Sequence, residues 1–308
     1  VRDALQQLND TSWVLGGRMI LSRHNATDPD VPCWSDGSGN FFKINEVYSE
    51  HDHEPGFKTP RDEDTVPLVH HAGDVHAVWK VGTAYLKVMI PATPLITREH
   101  ITLQALQQRR CPIEVPRVIY HGEWDGRYYL IITEVPGITL DRAWPSMGVI
   151  ARDDCVAKVT KLCKDLAALM GSSARIAGID GSHLAEYFLG TRSGKEWNFD
   201  PEIMKQRSID RGMDCSALTF YHCDLGPNNI LIRTGPTGVS IGVIDWECAG
   251  FVPASWIRTK FILAGGMDFE IPGGSKEARQ EWRIRMEEAL GQDGFKESLK
   301  SWQAWSSS

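Results

Sequence analysis

From Val66 onward, hydrophobic and polar positions fall into short periodic runs separated by glycine turns; before it they do not. His76–Val81 (HAVWKV) and Ala84–Ile90 (AYLKVMI) are strand-like and flank Gly82-Thr83, which predicts a hairpin. Thr97 then stands as an N-cap ahead of Ile101, Leu103 and Leu106, which share one face of a helix ending near Gln108. Val115–Tyr120 and Tyr128–Glu134 are further strand runs around Asp125-Gly126, and Pro136-Gly137 breaks the chain. The order strand, strand, helix, strand, strand describes a small α+β lobe ending near residue 136. Beyond it, Val156, Val159, Leu162, Cys163, Leu166, Leu169 and Met170 recur at helical spacing. They predict an amphipathic helix from near Asp153 to Gly171. Residues 181–215 mix helix and loop, and Ser275 caps a helix through about Leu290, with Gly291 as its stop.

Before Val66, Ser12–Leu21 reads as a short buried element broken by Gly16-Gly17, and Ser35–Asn40 (SDGSGN) as a turn cluster. Glu50–Pro67 reads as a long exposed loop. His51, Asp52, His53 and Glu54 within it are metal-ligand types, but no helix or strand holds them in one geometry, so a solvated loop is expected. The division is an N-terminal extension (1–65), an N-lobe (66–136) and a C-lobe (137–308).

Composition narrows the classes. A chain of 308 residues has room for one large domain or two lobes. It can bury enough surface to fold without disulfide or metal staples. An apolar fraction of 42% and a charged fraction of 24% exclude collagen, coiled coil and wholesale disorder. The net charge of −7 speaks against nucleic acid as a partner. No apolar run approaches the roughly 20 residues of a membrane span, so no membrane partner is expected. Val1–Gln7 is polar, unlike a signal peptide. Seven cysteines are dispersed without CxxC spacing, which suits free thiols in a reducing, cytoplasmic setting.

Chemistry concentrates in one stretch. His222–Asn229 (HCDLGPNN) leads into the apolar runs Ile230–Arg233 and Val239–Ile244, which flank a Gly/Pro turn and so predict an antiparallel hairpin. Asn229 precedes the first strand and Asp245 follows the second, which puts both at the end opposite the turn, about 5 Å apart in strand spacing. Asp224 lies on the loop before them. Three oxygen-bearing side chains at one hairpin end suit Mg²⁺ together with substrate phosphates. The type and spacing of His222, Asp224, Asn229 and Asp245 match the H-x-D-x-x-x-x-N catalytic loop and the metal-binding Asp of kinases.

With Ile244-Asp245-Trp246-Glu247 beside HCDLGPNN, the sequence resembles the aminoglycoside phosphotransferase and choline kinase-like family over about residues 70–260. Its texture, long extension included, is similar to members found in filamentous fungi. The resemblance implies a bilobal protein-kinase-like α+β fold, with a small β-rich N-lobe and a larger, mainly helical C-lobe. It implies ATP and Mg²⁺ as cofactors. In that frame Lys87 on the second strand would hold phosphates, Glu99 opening the next helix would orient it, and the backbone of Glu134 and Val135 would take adenine. Lys80 competes with Lys87 but has no helix following its strand.

The implied roles follow from phosphoryl transfer, in which positioning and electrostatics do most of the catalysis. Asp224 would accept the acceptor's proton. Asn229 and Asp245 would hold the metal. Glu247 would tune the metal site or touch the acceptor, and His222 would pack the loop. Two loop positions depart from the family pattern, Gly226 and Asn228, and Asn228 is expected to adopt a left-handed conformation. His70–His76 (HHAGDVH), the phosphate-covering segment, has one glycine in place of GxGxxG.

The leading expectation is a phosphotransferase acting on a hydroxyl of a small molecule, as a monomer or weak dimer. The alternative is a nucleotide-binding pseudoenzyme or scaffold on the same fold. A protein kinase is disfavoured because no activation-loop pattern follows Asp245. The acceptor is expected on residues 180–215 and 250–305. Trp197, Trp256, Trp282, Trp302 and Trp305 there are read mainly as packing residues.

Overall fold

A computed structural model describes residues 1–46, 66–235, 238–299 and 302. The chain divides into two compact units, Val1–Pro91 with Pro116–Glu134 and Ala92–Val115 with Val135–Ser308. The loop cluster His51, Asp52, His53 and Glu54 lies outside the described residues.

The first unit is two five-stranded antiparallel sheets. One contains β1 (Leu5–Asn9), β2 (Ser12–Leu15), β3 (Met19–His24), β4 (Cys33–Ser35) and β5 (Phe41–Glu46), in the order β1-β2-β3-β5-β4. The other contains β6 (Leu68–Ala72), β7 (His76–Val81), β8 (Ala84–Met89), β9 (Val118–Trp124) and β10 (Arg127–Thr133), in the order β6-β7-β8-β10-β9. The two sheets share one core, with Trp13, Leu21 and Phe42 from the first meeting Trp79, Leu86 and Ile131 from the second. Residues 1–46 are therefore a layer of the same unit, where the sequence reading set residues 1–65 apart as an N-terminal extension. Their strands span three to six residues and carry polar positions between the buried ones, too short a run for alternation to stand out. Gly16 and Gly17, both at positive φ, turn β2 back into β3, so Ser12–Leu21 is a hairpin and not one broken element. The expected hairpins at Gly82-Thr83 and Asp125-Gly126 are present.

The second unit begins with α1 (Glu99–Gln108). Its N-cap is Arg98, not Thr97. The Thr97 hydroxyl instead donates to Asp180 Oδ1 at 2.5 Å, so a tertiary partner has taken the capping group. After β11 (Ile138–Thr139) and the short α2 (Leu140–Ala143) comes α3 (Val149–Met170), which buries Val159, Leu162 and Leu166 and stops at Gly171 with φ of 74°. Next come β12 (Ser172–Ser173), the hairpin β13 (Thr191–Ser193)–β14 (Glu196–Asn198), and α4 (Pro201–Asp210), whose N-cap Asp200 accepts two backbone N–H bonds. β15 (Leu218–Tyr221), β16 (Ile230–Gly235), β17 (Gly238–Val243) and β18 (Gly250–Pro253) frame the region of interest, followed by α5 (Ala254–Leu263) and α6 (Lys276–Gln292). Ser275 caps α6 by accepting from the Ala278 N–H, as the sequence predicts, and the helix runs through Gly291. The observed class is α+β, with a β-sheet unit and a mainly helical one. No helix among the described residues is long and apolar enough to cross a membrane, and all seven cysteines are free thiols.

Candidate active site

β15 delivers the loop His222–Asn229, and β16–β17 return the chain beside it. Ile230 pairs with Val243, and the Ile244 N–H donates to the Asn229 carbonyl at 3.0 Å, closing the hairpin end on which Asn229 and Asp245 sit. Asn229 Nδ2 donates to both the carbonyl and the Oδ2 of Asp224, each at 2.9 Å. Both bonds use the carboxamide nitrogen, so its oxygen is kept as an acceptor. Asp224 and Asn229, five residues apart, are thus locked together.

His222 is fully buried and braces this loop. Its Nδ1 accepts the Asp224 N–H at 3.1 Å, which leaves Nε2 to donate to the Ile244 carbonyl at 3.0 Å. Its ring meets Trp246 edge-on at 4.5 Å. Two non-glycine residues here adopt left-handed backbone: Cys223 and Asp245, each with φ of 66°. Asn228 does not, because it lies in the 3-10 turn Pro227–Asn229. The strain falls instead on Cys223, next to Asp224, and on Asp245 itself.

Asp245, Glu247 and Glu99 form a carboxylate cluster in which one oxygen of each lies within 4.8 Å of the others. Glu99 is buried, and its Oε1 accepts the Trp246 N–H at 3.0 Å. The Trp246 indole donates to the Val243 carbonyl at 3.0 Å. The aromatic residue after Asp245 therefore anchors the turn that presents it.

Burial pushes the Asp224 carboxyl above its ordinary range. Lys260 pulls it down, Asp245 and Glu186 push it further up, and the Asn229 bond pulls it down. Lys260 and Glu186 are the pair that the sequence reading missed. Nζ lies 2.6 Å from Glu186 Oε2, and both residues are almost wholly buried. Glu186 also accepts from the Trp256 indole at 3.2 Å and from the Phe188 N–H at 3.2 Å. The available signal was a single charge inside each apolar run, LAEYF and TKFIL. Trp282, read from the sequence as a packing residue, also donates its indole N–H to the Leu225 carbonyl at 3.0 Å, inside the His222–Asn229 loop. Trp256 and Trp282 are fully buried packing residues, and Trp302 stacks on Trp256 with centroids 5.2 Å apart. Trp197 stacks on Phe199 at 5.8 Å, and Trp305 lies outside the described residues. A cavity of about 570 Å³ lined by Lys164, Asp214 and Lys296 includes none of the loop residues.

In the first unit, Lys87 is 5% exposed and stands opposite Val78 and Leu130. Its neighbours Leu86 and Val88 enter the two-sheet core, so Lys87 is on the other face of its sheet. Lys80 is engaged elsewhere. It pairs with Glu134 at 2.5 Å and lies 4.4 Å from the centre of the Tyr85 ring. The Glu134 N–H donates to the Thr83 carbonyl at 3.0 Å, which leaves Glu134 its carbonyl, while Val135 is buried.

A sequence model of the phosphotransferase enzyme family matches residues 70–256. Among solved structures, the chain is similar to a thermostable mutant of aminoglycoside phosphotransferase APH(4)-Ia in ternary complex with AMP-PNP and hygromycin B. The identity is 17%, covering 74% of this chain and 78% of that one, with a TM-score of 0.48. It is similar to the streptomycin–ATP complex of APH(2")-IIa at 13% identity, covering 74% and 77%, with a TM-score of 0.46. Choline kinase LicA from Streptococcus pneumoniae aligns at 15% identity, covering 72% and 74%, with a TM-score of 0.39. A search of curated proteins by sequence found no match.

Proposed function

The chain belongs to the phosphotransferase enzyme family, and we propose that it transfers the γ-phosphoryl group of ATP to a hydroxyl of a small molecule with the help of Mg²⁺. The observation that carries this reading is the joined pair Asp224–Asn229, held at one hairpin end with Asp245. Asp224, half-buried and acceptor-bearing, takes the proton of the attacking hydroxyl. Asn229 fixes its rotamer, so the base is positioned before the acceptor arrives.

Asn229 and Asp245 would hold Mg²⁺, and the donor set fits that ion: hard oxygens only, with Glu99 and Glu247 adding carboxylates to the cluster. When bound, the ion supplies charge neutralisation for the phosphates. Lys87 adds a positive charge for the α- and β-phosphates, and the Glu134 carbonyl with the Val135 N–H reads adenine. Glu99 orients the site by tying down Trp246, Glu247 shapes its electrostatics, and His222 holds the loop. Residues 180–215 supply the acceptor side, where Tyr187 is 44% exposed.

The test is incubation with ATP, Mg²⁺ and a library of hydroxyl-bearing metabolites, scored by phosphorylated product. Product is expected from the native chain and none above background from Asp224→Ala or Asp245→Ala. Product unchanged in both variants overturns the roles. ATP-dependent thermal stabilisation without any product supports the scaffold alternative instead.

A further inference from the structure

The SDGSGN turn between β4 and β5 has no part in the chemistry above, yet it is the most heavily tied turn of the first sheet. The Asp36 carboxylate accepts the Ser38 N–H and Oγ at 2.8 Å each, the Asn40 N–H at 3.0 Å and Asn40 Nδ2 at 3.3 Å. The Asp36 N–H donates to the Asn40 carbonyl at 2.9 Å, and the Gly37 N–H donates to Ser35 Oγ at 3.0 Å. So fixed, the Ser35 carbonyl accepts both the N–H and the hydroxyl of Thr83, at 2.9 and 3.0 Å. The approach is close enough to demand Gly82. A Cβ there would stand 2.4 Å from the Ser35 oxygen and 2.7 Å from Asp36 Cα, and Gly82 has φ of +58°. One residue earlier, the buried Trp34 indole donates to the Val81 carbonyl at 2.7 Å.

Thr83 then passes the constraint on. Its carbonyl accepts the Glu134 N–H at 3.0 Å. A two-residue hairpin tip is ordinarily among the most mobile parts of a sheet, but this one is clamped from the neighbouring sheet and bonded to Glu134.

We infer that the first sheet braces the adenine-reading backbone, with Trp34, Ser35 and Asp36 acting through Thr83 as positioning residues for Glu134. The inference rests on the proposed reading of Glu134–Val135 as the adenine contact. The brace holds the Glu134 carbonyl at a fixed height, while Lys80 holds its side chain. Loosening it lowers adenine affinity and leaves phosphate recognition alone, since Lys87 and the second-unit carboxylates are not part of the clamp.

The experiment uses the full chain and two probes, ATP and inorganic tripolyphosphate, each with Mg²⁺, titrated well below the thermal midpoint. Asp36→Ala is expected to weaken ATP about fivefold, the scale of one hydrogen bond, and to leave tripolyphosphate within about twofold. Asp36→Asn, which keeps an acceptor oxygen for Ser38 and Asn40, restores ATP binding. Trp34→Phe keeps the ring against Phe42 and removes only the bond to Val81, so it gives the same selective loss if Asp36→Ala does not fold. Unchanged ATP affinity in these variants, or equal weakening of both probes, overturns the brace. A separate comparison on the native chain isolates the underlying reading. ATP and its N6,N6-dimethyl analogue binding equally well removes the adenine contact at Glu134 and the brace with it. Discrimination between them, with Asp36→Ala unaffected, removes the brace alone.

Discussion

Two aspartates show how far a single residue is shaped by its surroundings. For Asp36, burial favours the neutral form, but the Ser38 and Asn40 bonds outweigh it and hold the carboxyl down at about 2. Asp224 is shifted the other way, chiefly by burial, with Asp245 and Glu186 adding to it against Lys260. A raised carboxyl costs the fold stability once it ionises. The cost is absent below the ordinary value of 3.8 and is felt in full once the pH has risen through the folded value. Asp224→Asn, measured by thermal denaturation without added metal, is therefore expected to raise the midpoint at pH 7 by a few degrees. The gain should disappear near pH 3.5, while phosphoryl transfer falls by a factor of about 10² or more. An Asn at 224 still offers Oδ1 to Asn229, so the loop keeps its shape. A midpoint lowered at pH 7 would show that the charge stabilises the fold.

At the scale of elements, the loop is positioned by groups far from it in sequence. α6 reaches it through Trp282, fully buried, whose indole satisfies the Leu225 carbonyl. Trp282→Phe keeps an aromatic ring and strands that carbonyl. A loss of about 1–3 kcal/mol in unfolding free energy is expected by denaturant titration, with a drop in kcat exceeding any change in KM for ATP. α5 contributes Lys260 to a buried ion pair with Glu186. Such pairs are weak stabilisers relative to apolar packing, so this one is better understood as part of the electrostatic setting of Asp224. α1 contributes Glu99 to the Trp246 backbone. The hairpin β16–β17 is the one element whose site geometry was readable directly. Its spacing alone placed Asn229 and Asp245 at the same end, and the Ile244–Asn229 bond closes it there.

At the scale of the whole molecule, the family match begins at residue 70, after the first sheet, yet that sheet shares its core with β7, β8 and β10. A chain beginning at Val66 would uncover Ala77, Trp79, Leu86 and Val88, all 4% exposed or less. Such an apolar face promotes association. The shortened chain is expected to be recovered mainly as aggregate, or to bind the dye ANS strongly, by comparison with the full chain. A soluble shortened chain with native ATP affinity would show that the layer is dispensable. The net charge of −7 takes on a narrower meaning here. Of the chain's 40 acids, Glu99, Asp245 and Glu247 gather in one cluster, so the overall balance says little about the charge at that point.

The sequence by itself determined the α+β order from Val66 onward, the strand lysine and the run from His222 to Glu247. These are local patterns: turn residues, alternation, and donor spacing along one hairpin. The tertiary structure alone decided what holds them. Lys260 finds Glu186 across 74 residues, Trp282 finds Leu225 across 57, and Thr83 finds Ser35 across 48. Thr97 lost its capping role to Asp180, and left-handed strain fell on Cys223 and Asp245, not on Asn228. The first sheet was hidden for the same reason. Strands of three to six residues carry too little periodicity to declare themselves, and they become strands only when a second sheet buries one face.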